Sequence, residues 1–313
     1  MSRGAPDGGV RVRVPATSAN LGPGFDALGL ALDLFEEVRL RRLAPREVGS
    51  PPRPRIAVRG HGAGSLPADE SLYAYQGAVA VYRRLGREVP PLGLVLENRI
   101  PRSGGLGGSA AAVVAGAFAA NALEGRPLPP AALLEIATIL EGHPDNAAAA
   151  LYGGLVISVQ GRDGVLAKRV APPPGLSAVL VLPDRAISTK QARSGVLPRE
   201  VSLEDAVFNL GRTALLVAAF QSGDWALLRE AMDDRLHQPA RGRLYPALEP
   251  TIAAALAAGA HGAALSGSGS AILALATERH EAIAEAMRAA AAGAGFPGST
   301  AVVALSADGA TEV

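Results

Sequence analysis

The chain has 313 residues, of which 49% are hydrophobic and 19% charged, and this composition indicates a packed globular protein of about two domains. With 30 basic and 29 acidic residues the formal net charge is +1, which excludes a global positive field for nucleic acid or an anionic membrane, so any phosphate binding must be local. The absence of cysteine excludes disulfides, thiolate metal sites and a cysteine nucleophile.

The first half of the chain is predicted to mix strands and helices without strict alternation. A polar loop at Ala16–Gly24 and a turn-rich insert at Pro45–Pro54 separate the early strands. The predicted strands are Val10–Val14, Leu28–Leu34, Glu37–Leu43, Ile56–Val58, Leu92–Glu97, Gly154–Gln160 and Val165–Val170, the last two as a hairpin. The predicted helices are Asp69–Arg84, Ser109–Leu123, Ala131–Leu140 and a short one from Pro144 to Leu151.

Three consecutive prolines in Ala171–Gly175 are the candidate domain boundary, which gives an N-terminal domain over residues 1–170 and a C-terminal domain over 171–313. Strands are predicted beyond it at Ala178–Leu182, Gly262–Leu265, Ala271–Leu275 and Ala301–Leu305. Helices are predicted at Leu203–Gln221, Trp225–Met232, Ala247–Ala258 and Glu278–Ala292. Because both halves mix the two element types, the sequence favours an α+β fold over a doubly wound sheet.

Two further patterns limit the class of protein. The polar start Met1–Gly9 has no apolar core of a signal peptide, and the apolar run Ala110–Leu123 is too short to span a bilayer, so we expect a cytoplasmic protein without a membrane or nucleic-acid partner. The only two lysines, Lys168 and Lys190, do not follow a glycine-rich loop, which excludes a Walker A nucleotidase.

The strongest chemical signal is the segment Ile100–Ala111, in which four glycines and a serine lie between a strand and an alanine-rich helix. Glycines let the backbone approach an anion, and the helix start adds its N–H groups and the positive end of its dipole. The pattern favours a phosphate site without lysine, although a helix start that merely packs tightly would look similar. Ser109 would either cap the helix or place its hydroxyl on a metal ion.

Three other loops carry polar residues whose meaning stays open on spacing alone. The glycine-rich turn Ser266–Ser270 reads first as an ordinary hairpin turn. In Pro15–Asp26, Asn20 and Asp26 are either turn formers or ligands. In Glu141–Asn146, His143 and Asp145 could contact a substrate, or Asp145 could cap the helix that follows.

Together, the four loops resemble the GHMP kinase superfamily, and most specifically its homoserine kinases. The similarity extends from Val10 to about Leu305, with Pro15–Asp26 as its most specific part. Ser188–Arg193 and His237–Arg241 resemble the two later arginine motifs of that family. The resemblance implies a two-domain fold, with an N-terminal part like ribosomal protein S5 domain 2 and a C-terminal ferredoxin-like α/β sandwich.

The resemblance also implies ATP and Mg²⁺ as cofactors, L-homoserine as the substrate, and the possibility of a homodimer. The residues that it assigns to the substrate are Asn20, Asp26, His143, Asp145, Asn146, Thr189, Arg193 and Arg241. It assigns ATP to Pro101, Arg102, Ser103, Gly104, Gly105, Leu106, Gly107, Gly108, Ser109, Ala110, Ala111, Gly267 and Gly269. It assigns the metal to Ser109 and Glu135; without the resemblance, Glu135 would read as an exposed helical residue.

One departure concerns Gly108, which stands where the family loop usually has a serine. The backbone N–H remains, so we expect the loop to bind ATP. The missing hydroxyl group bears on the affinity for the nucleotide. Two alternatives remain at this point: a GHMP kinase for mevalonate, shikimate or a sugar alcohol, and a non-catalytic ligand sensor on the same fold.

Overall fold

The structure is a computed structural model and describes residues 8–49, 53–102, 104–185, 192–193 and 195–313. The predicted positions Ser103 and Thr189 lie outside the described residues. The strands are β1 Val10–Asn20, β2 Gly24–Arg42, β3 Arg55–Gly60, β4 Leu92–Asn98, β5 Leu155–Gly161, β6 Gly164–Val170, β7 Ser177–Pro183, β8 Gly262–Leu265, β9 Ile272–Ala276, β10 Gly298–Ala304 and β11 Thr311–Glu312. The α-helices are α1 Tyr73–Arg84, α2 Gly108–Leu123, α3 Pro130–Glu141, α4 Asp145–Tyr152, α5 Leu203–Ser222, α6 Leu228–Ala231, α7 Gln238–Gly242, α8 Leu248–Ala258 and α9 His280–Gly293.

The first sheet is built on the long β1–β2 hairpin. Its strand order is β11-β1-β2-β4-β3, and β5 pairs with the first part of β2 and with β6. All pairs are antiparallel except the parallel pair β3–β4. Alternate residues of β2, such as Val38 and Leu40, are buried under the helices, as the period of two of a half-covered strand requires.

The prediction was wrong at the first hairpin. Residues 16–20 of the expected loop belong to β1, and the two strands expected within 28–43 are one continuous strand, β2. The pairing shows why: the register of β1 against β2 shifts between Pro15 and Ala16 and again before Asn20, so the irregularities are absorbed as bulges within the hairpin. The turn is confined to residues 21–23, and this places Asn20 and Asp26 close to one another.

The second sheet has the order β10-β7-β9-β8 and is entirely antiparallel. Strands β7, β8 and β9 are buried on both faces, whereas the edge strand β10 is largely exposed or half-buried. In β7, Leu180 packs into the core shared with the first sheet, whereas Val179 and Val181 pack against α8 and α9. This arrangement confirms the predicted α+β class.

The later elements follow the predictions with small shifts at the ends, but two elements were not predicted. They are the short helix α7 and the final strand β11, which pairs with β1. The division of the chain at Ala171–Gly175 stays a prediction. Within the described ranges, none of the helices has the length and apolar character needed to cross a bilayer.

Candidate active site

The predicted phosphate loop lies between β4 and the first turn of α2. Helix α2 begins at Gly108 and is buried over most of its length by alanine and valine side chains, so its N-terminus is held firmly at the floor of a cleft. The loop residues Gly104, Gly105 and Gly107 all have positive φ angles (81°, 87° and 62°). The backbone amides of such a loop, together with the helix dipole, form a cradle for an anion.

The turn between β8 and β9 supports this loop directly. The hydroxyl of Ser266 lies 2.5 Å from the carbonyl oxygen of Gly105 and 2.8 Å from the hydroxyl of Ser18. The amide of Ala271 donates to the carbonyl oxygen of Gly104 at 3.1 Å, and that of Gly267 donates to Ala19 at 3.0 Å. The turn Ser266–Ser270 is therefore a brace for the phosphate loop and for β1, rather than a free hairpin.

Gly107 and Gly108 have different surroundings. A Cβ atom at Gly107 would collide with the hydroxyl of Thr17 and would approach Asn146 Oδ1 to 2.9 Å. At Gly108 the nearest atom would be a methyl group of Ile100, 3.9 Å away. The serine that is usual in the family at position 108 would therefore fit here, and its absence leaves the shape of the loop unchanged.

The His143–Asn146 element forms one wall of the cleft. His143 Nδ1 lies 2.6 Å from Asp145 Oδ1, and the same oxygen accepts the backbone N–H of Asn146 at 2.7 Å. Asn146 in turn accepts a hydrogen bond of 2.7 Å from Thr17. Burial alone would lower the pKa of His143, but the hydrogen bond and the charge of Asp145 outweigh it and raise the pKa. His143 is therefore biased towards its positive form.

Asp26 and Arg193 form a two-point ion pair at the cleft, with Nη–Oδ distances of 2.6 and 3.0 Å. Asn20 holds Asp26 in place, because its side-chain oxygen accepts the backbone N–H of Asp26 at 3.0 Å. The side-chain nitrogen of Asn20 donates to the carbonyl oxygen of Gly267 at 2.8 Å. The side chains of Asp26 and Arg193 are 35% and 29% exposed, so a ligand can reach both.

Arg241 lies deeper than the sequence suggested and is only 2% exposed. Its Nη1 donates to the carbonyl oxygen of Gly267 and to Nδ1 of His237, both at 3.0 Å. His237 can accept this bond because burial lowers its pKa to about 4 and keeps it neutral, while its Nε2–H donates to Gly22. Burial also lowers the pKa of Arg241 to about 10, which still leaves it charged at neutral pH, and its Nη2 has no partner within the described part of the chain.

The structure does not bring Glu135 to Ser109. Glu135 lies against Gly164 at the start of β6, where a Cβ atom on the glycine would collide with its carboxylate. The carboxylate that meets Ser109 is Glu141, six residues further along α3, with an Oγ–Oε2 distance of 2.9 Å. Burial raises the pKa of Glu141, and the hydrogen bond from Ser109 opposes that rise. This is a correction to the expected pair.

Many of these groups line one cleft of about 450 Å³, a size typical of small-ligand sites. At one end are the polar side chains of Asn20, His143, Asp145, Asn146 and Arg193. The phosphate loop runs past the middle, with Pro101, Arg102, Gly104 to Ser109 and Gly267 on the cleft surface. Ala110 and Ala111 are buried in the first turn of α2, Gly269 lies behind Gly104, and Arg241 is not on the cleft surface.

Sequence reasoning missed Glu141, Thr17 and Glu36, a buried acid that lines the other end of the cleft. Glu141 stands directly before Gly142–His143. The predicted helix ended at Leu140, so Glu141 was not recognised as the last residue of α3. Glu36 could have been recognised from the sequence, because it alternates with the buried residues Val38 and Leu40 and therefore lies on the same face of the strand.

Comparison with known proteins agrees with this architecture. The family model of the GHMP kinases N terminal domain matches residues 73–154, and that of the GHMP kinases C terminal domain matches residues 216–309. The mevalonate kinase of L. major, 20% identical with a TM-score of 0.61, shares the fold. The fold is thus that of a GHMP kinase, an ATP-dependent enzyme.

Relatives with higher sequence identity show to which family of GHMP kinases the chain belongs. A homoserine kinase of Moorella thermoacetica is 46% identical, with 89% of this chain and 91% of that protein covered. One of Desulfitobacterium hafniense is 42% identical, with coverages of 97% and 100%. The crystal structure of homoserine kinase from Cytophaga hutchinsonii matches all of both chains with a TM-score of 0.87 at 32% identity. The chain belongs to the homoserine kinase family.

Proposed function

We propose that this enzyme transfers the γ-phosphate of ATP to the side-chain hydroxyl of L-homoserine, giving O-phospho-L-homoserine and ADP. The observation that carries the proposal is the accessible ion pair of Asp26 with Arg193, which lines the polar end of a cleft that also contains the phosphate loop. A zwitterionic substrate offers the opposite charge to each partner. Its carboxylate suits the planar guanidinium of Arg193, and its ammonium group suits Asp26.

In this proposal, substrate binding exchanges one ion pair for two. Arg193 and Asp26 compensate each other before the substrate binds, so neither charge is left unpaired in a half-buried site. Arg241, whose Nη2 lacks a partner among the described residues, lies behind Ala192 and stabilises the turn at Gly267. We assign Arg241 to the support of Arg193 and of the phosphate loop.

The residues present also fit a magnesium ion. Ser109 and Glu141 offer a hydroxyl and a carboxylate, which are the hard oxygen ligands that Mg²⁺ takes besides waters and phosphates. Within the described ranges, no group of three or more acidic or histidine side chains gathers as a closed metal site, so the protein would supply few ligands. The chemistry that Mg²⁺ supplies when bound is neutralisation of the charge on the β- and γ-phosphates.

The remaining groups position the reactants. The amides of the loop and of the α2 N-terminus hold the phosphate chain, as a loose phosphoryl-transfer transition state requires. Asp145, 1% exposed and fixed by His143 and the backbone of Asn146, faces the substrate end of the cleft. We assign Asp145 to substrate binding. The proposal includes a cytoplasmic location, where ATP is supplied, and allows a homodimer.

The direct test is an ADP-release assay with L-homoserine, L-serine, L-threonine and mevalonate as acceptors. We expect kcat/KM for L-homoserine to exceed that for every other acceptor by at least about a hundredfold, equivalent to ~2.7 kcal/mol of discrimination. A preference for mevalonate, or equal rates with L-serine, would refute the assignment of the polar end.

A second test separates the two candidate metal ligands. Glu141→Gln should lower kcat at least about fiftyfold while leaving KM for homoserine within about threefold, because it removes a charged ligand of the Mg²⁺ ion that would neutralise the phosphates in the transition state. Glu135→Gln, on the same helix, is the matched control and should stay within about threefold of the unmodified enzyme. The reverse pattern would show that Glu135, and not Glu141, holds the metal.

A further inference from the structure

The end of the cleft away from the substrate residues is an apolar slot. It is lined by Leu66, Leu72, Leu96, Ile100 and Ala112, and Tyr73, 46% exposed, lies at its mouth. Ile100 directly precedes the phosphate loop, so the slot is continuous with the anion cradle. A planar, mostly apolar group attached to a phosphate chain would enter this slot once the phosphates rest on the loop.

Two polar side chains stand in the slot, Glu36 on β2 and Asn98 on β4, and they face each other across paired strands. The amide of Asn98 is already used: its nitrogen donates to the carbonyl oxygen of His61 at 2.9 Å, and its oxygen accepts the N–H of Ile100 at 2.8 Å. Glu36 differs. It is 1% exposed, and its buried Oε1 has no hydrogen-bond partner among the residues that the structure describes.

A buried carboxyl oxygen without a partner costs free energy comparable to that of a lost hydrogen bond. The same position on a purely structural strand would be filled at lower cost by an apolar residue, as Val38 and Leu40 fill the next two positions on this face. An unmet polar group at the floor of an apolar slot is instead the usual arrangement for fixing the orientation of a ligand.

We propose that Glu36 recognises the nucleobase of ATP by pairing with the 6-amino group and an adjacent ring nitrogen of adenine. This inference rests on the proposed function, since it requires the nucleotide to lie on the phosphate loop. It deepens that function by assigning the base selectivity of the site to one residue that none of the four sequence motifs contains.

The protonation state of the group matches adenine. Burial raises the pKa of Glu36 to about 8, so at neutral pH it is a carboxylic acid with one donor and one acceptor. Adenine presents the complementary pair along one edge: an amino group that donates and a ring nitrogen that accepts. An ionised carboxylate would direct two acceptors at that edge, and one of them would oppose the lone pair of the ring nitrogen. The titratable groups elsewhere along the cleft are Tyr73, Arg102, Glu141, His143, Asp145 and Arg193.

The test is a calorimetric comparison of ATP with purine riboside triphosphate, which lacks the 6-amino group, at pH 7 with Mg²⁺ and without homoserine. The unmodified protein should bind ATP about tenfold more tightly, the loss expected when a buried acceptor is left unpaired. In Glu36→Leu the two nucleotides should bind within about twofold of each other. Glu36→Gln, which keeps one donor and one acceptor, should restore most of the difference.

The matched control is Glu97→Gln on the neighbouring strand. Glu97 is paired with arginines on the outer face of the sheet, and this variant should keep the tenfold ratio. A ratio in Glu36→Leu equal to that of the unmodified protein would overturn the inference. A measurement that needs no variant is the binding of N6,N6-dimethyl-ATP, which should be at least about tenfold weaker than that of ATP; equal binding would also contradict the role of Glu36.

The two proposals fail in different ways. If the protein binds ATP with the predicted selectivity but does not phosphorylate homoserine, the substrate assignment is wrong and the role of Glu36 stands. If ATP does not bind at all, both are wrong.

Discussion

Glu36 should make the stability of this protein fall as the pH rises towards 8, and Glu36→Gln should remove this effect. The carboxyl group is fully buried in the folded protein, and burial raises its pKa from 4.5 to about 8. Between these two values the folded state holds a proton that the unfolded state has lost. The free energy of unfolding of the unmodified protein therefore decreases over this window and levels off above it.

The magnitude follows from the displacement of the pKa. At 1.36 kcal/mol for each tenfold change in acidity, a rise from 4.5 to about 8 corresponds to about 5 kcal/mol. This is a large part of the 5–15 kcal/mol that typically stabilises a folded protein, so it should be easy to measure. Glutamine has nearly the same shape and no acidic proton. Relative to the unmodified protein, Glu36→Gln should gain this stability progressively between pH 4.5 and 8.

The assay is urea unfolding of both proteins at a series of pH values from 5 to 9, followed by fluorescence and circular dichroism. Glu97→Gln serves as the control, because Glu97 is partly exposed and paired with arginines, and its curve should parallel that of the unmodified protein. Two parallel curves for Glu36→Gln and the unmodified protein would show that Glu36 is ionised at neutral pH, and would refute the reasoning.

Two further predictions concern the loop and the ion pair. Gly107→Ala should raise KM for ATP at least about tenfold, because its Cβ would collide with Thr17, whereas Gly108→Ala has room and should change it less than about twofold; equal effects would contradict the geometry of the cradle. Arg193→Gln should raise KM for homoserine at least about tenfold and leave KM for ATP within about twofold in steady-state kinetics, since the substrate carboxylate loses its partner and the phosphate loop loses none. A parallel rise in both constants would assign Arg193 to structure and not to substrate binding.

Much of the fold could be predicted because most elements carry a local signal. The apolar run of β7, the alanine-rich helix α2 and the hairpin β5–β6 each begin and end within a residue or two of the predicted bounds. The first hairpin could not be predicted, since proline and glycine indicate a loop in isolation. Here the long-range pairing of β1 with β2 accommodates Pro15 and the residues after it through shifts in register.

In the candidate site, too, the residues that are contiguous in sequence could be predicted, whereas those placed by tertiary packing could not. The glycines of the phosphate loop and the His143–Asn146 element are contiguous in sequence, and the structure gathers them around one cleft. Whether Glu135 or Glu141 meets Ser109 depends on which face of α3 packs against α2. This packing joins residues far apart in sequence, so a short local motif does not reveal it. Likewise, the depth of Arg241 follows from its bonds to Gly267 and His237 and is not visible in the spacing of its motif.

The most direct measurement of the central claim is a crystal structure with a non-hydrolysable ATP analogue, Mg²⁺ and L-homoserine. The account predicts that the β- and γ-phosphate oxygens lie about 3 Å from the backbone amides of residues 105–109, with the amino acid between Asp26 and Arg193. Phosphates bound elsewhere in the molecule, or an amino acid outside that ion pair, would contradict it.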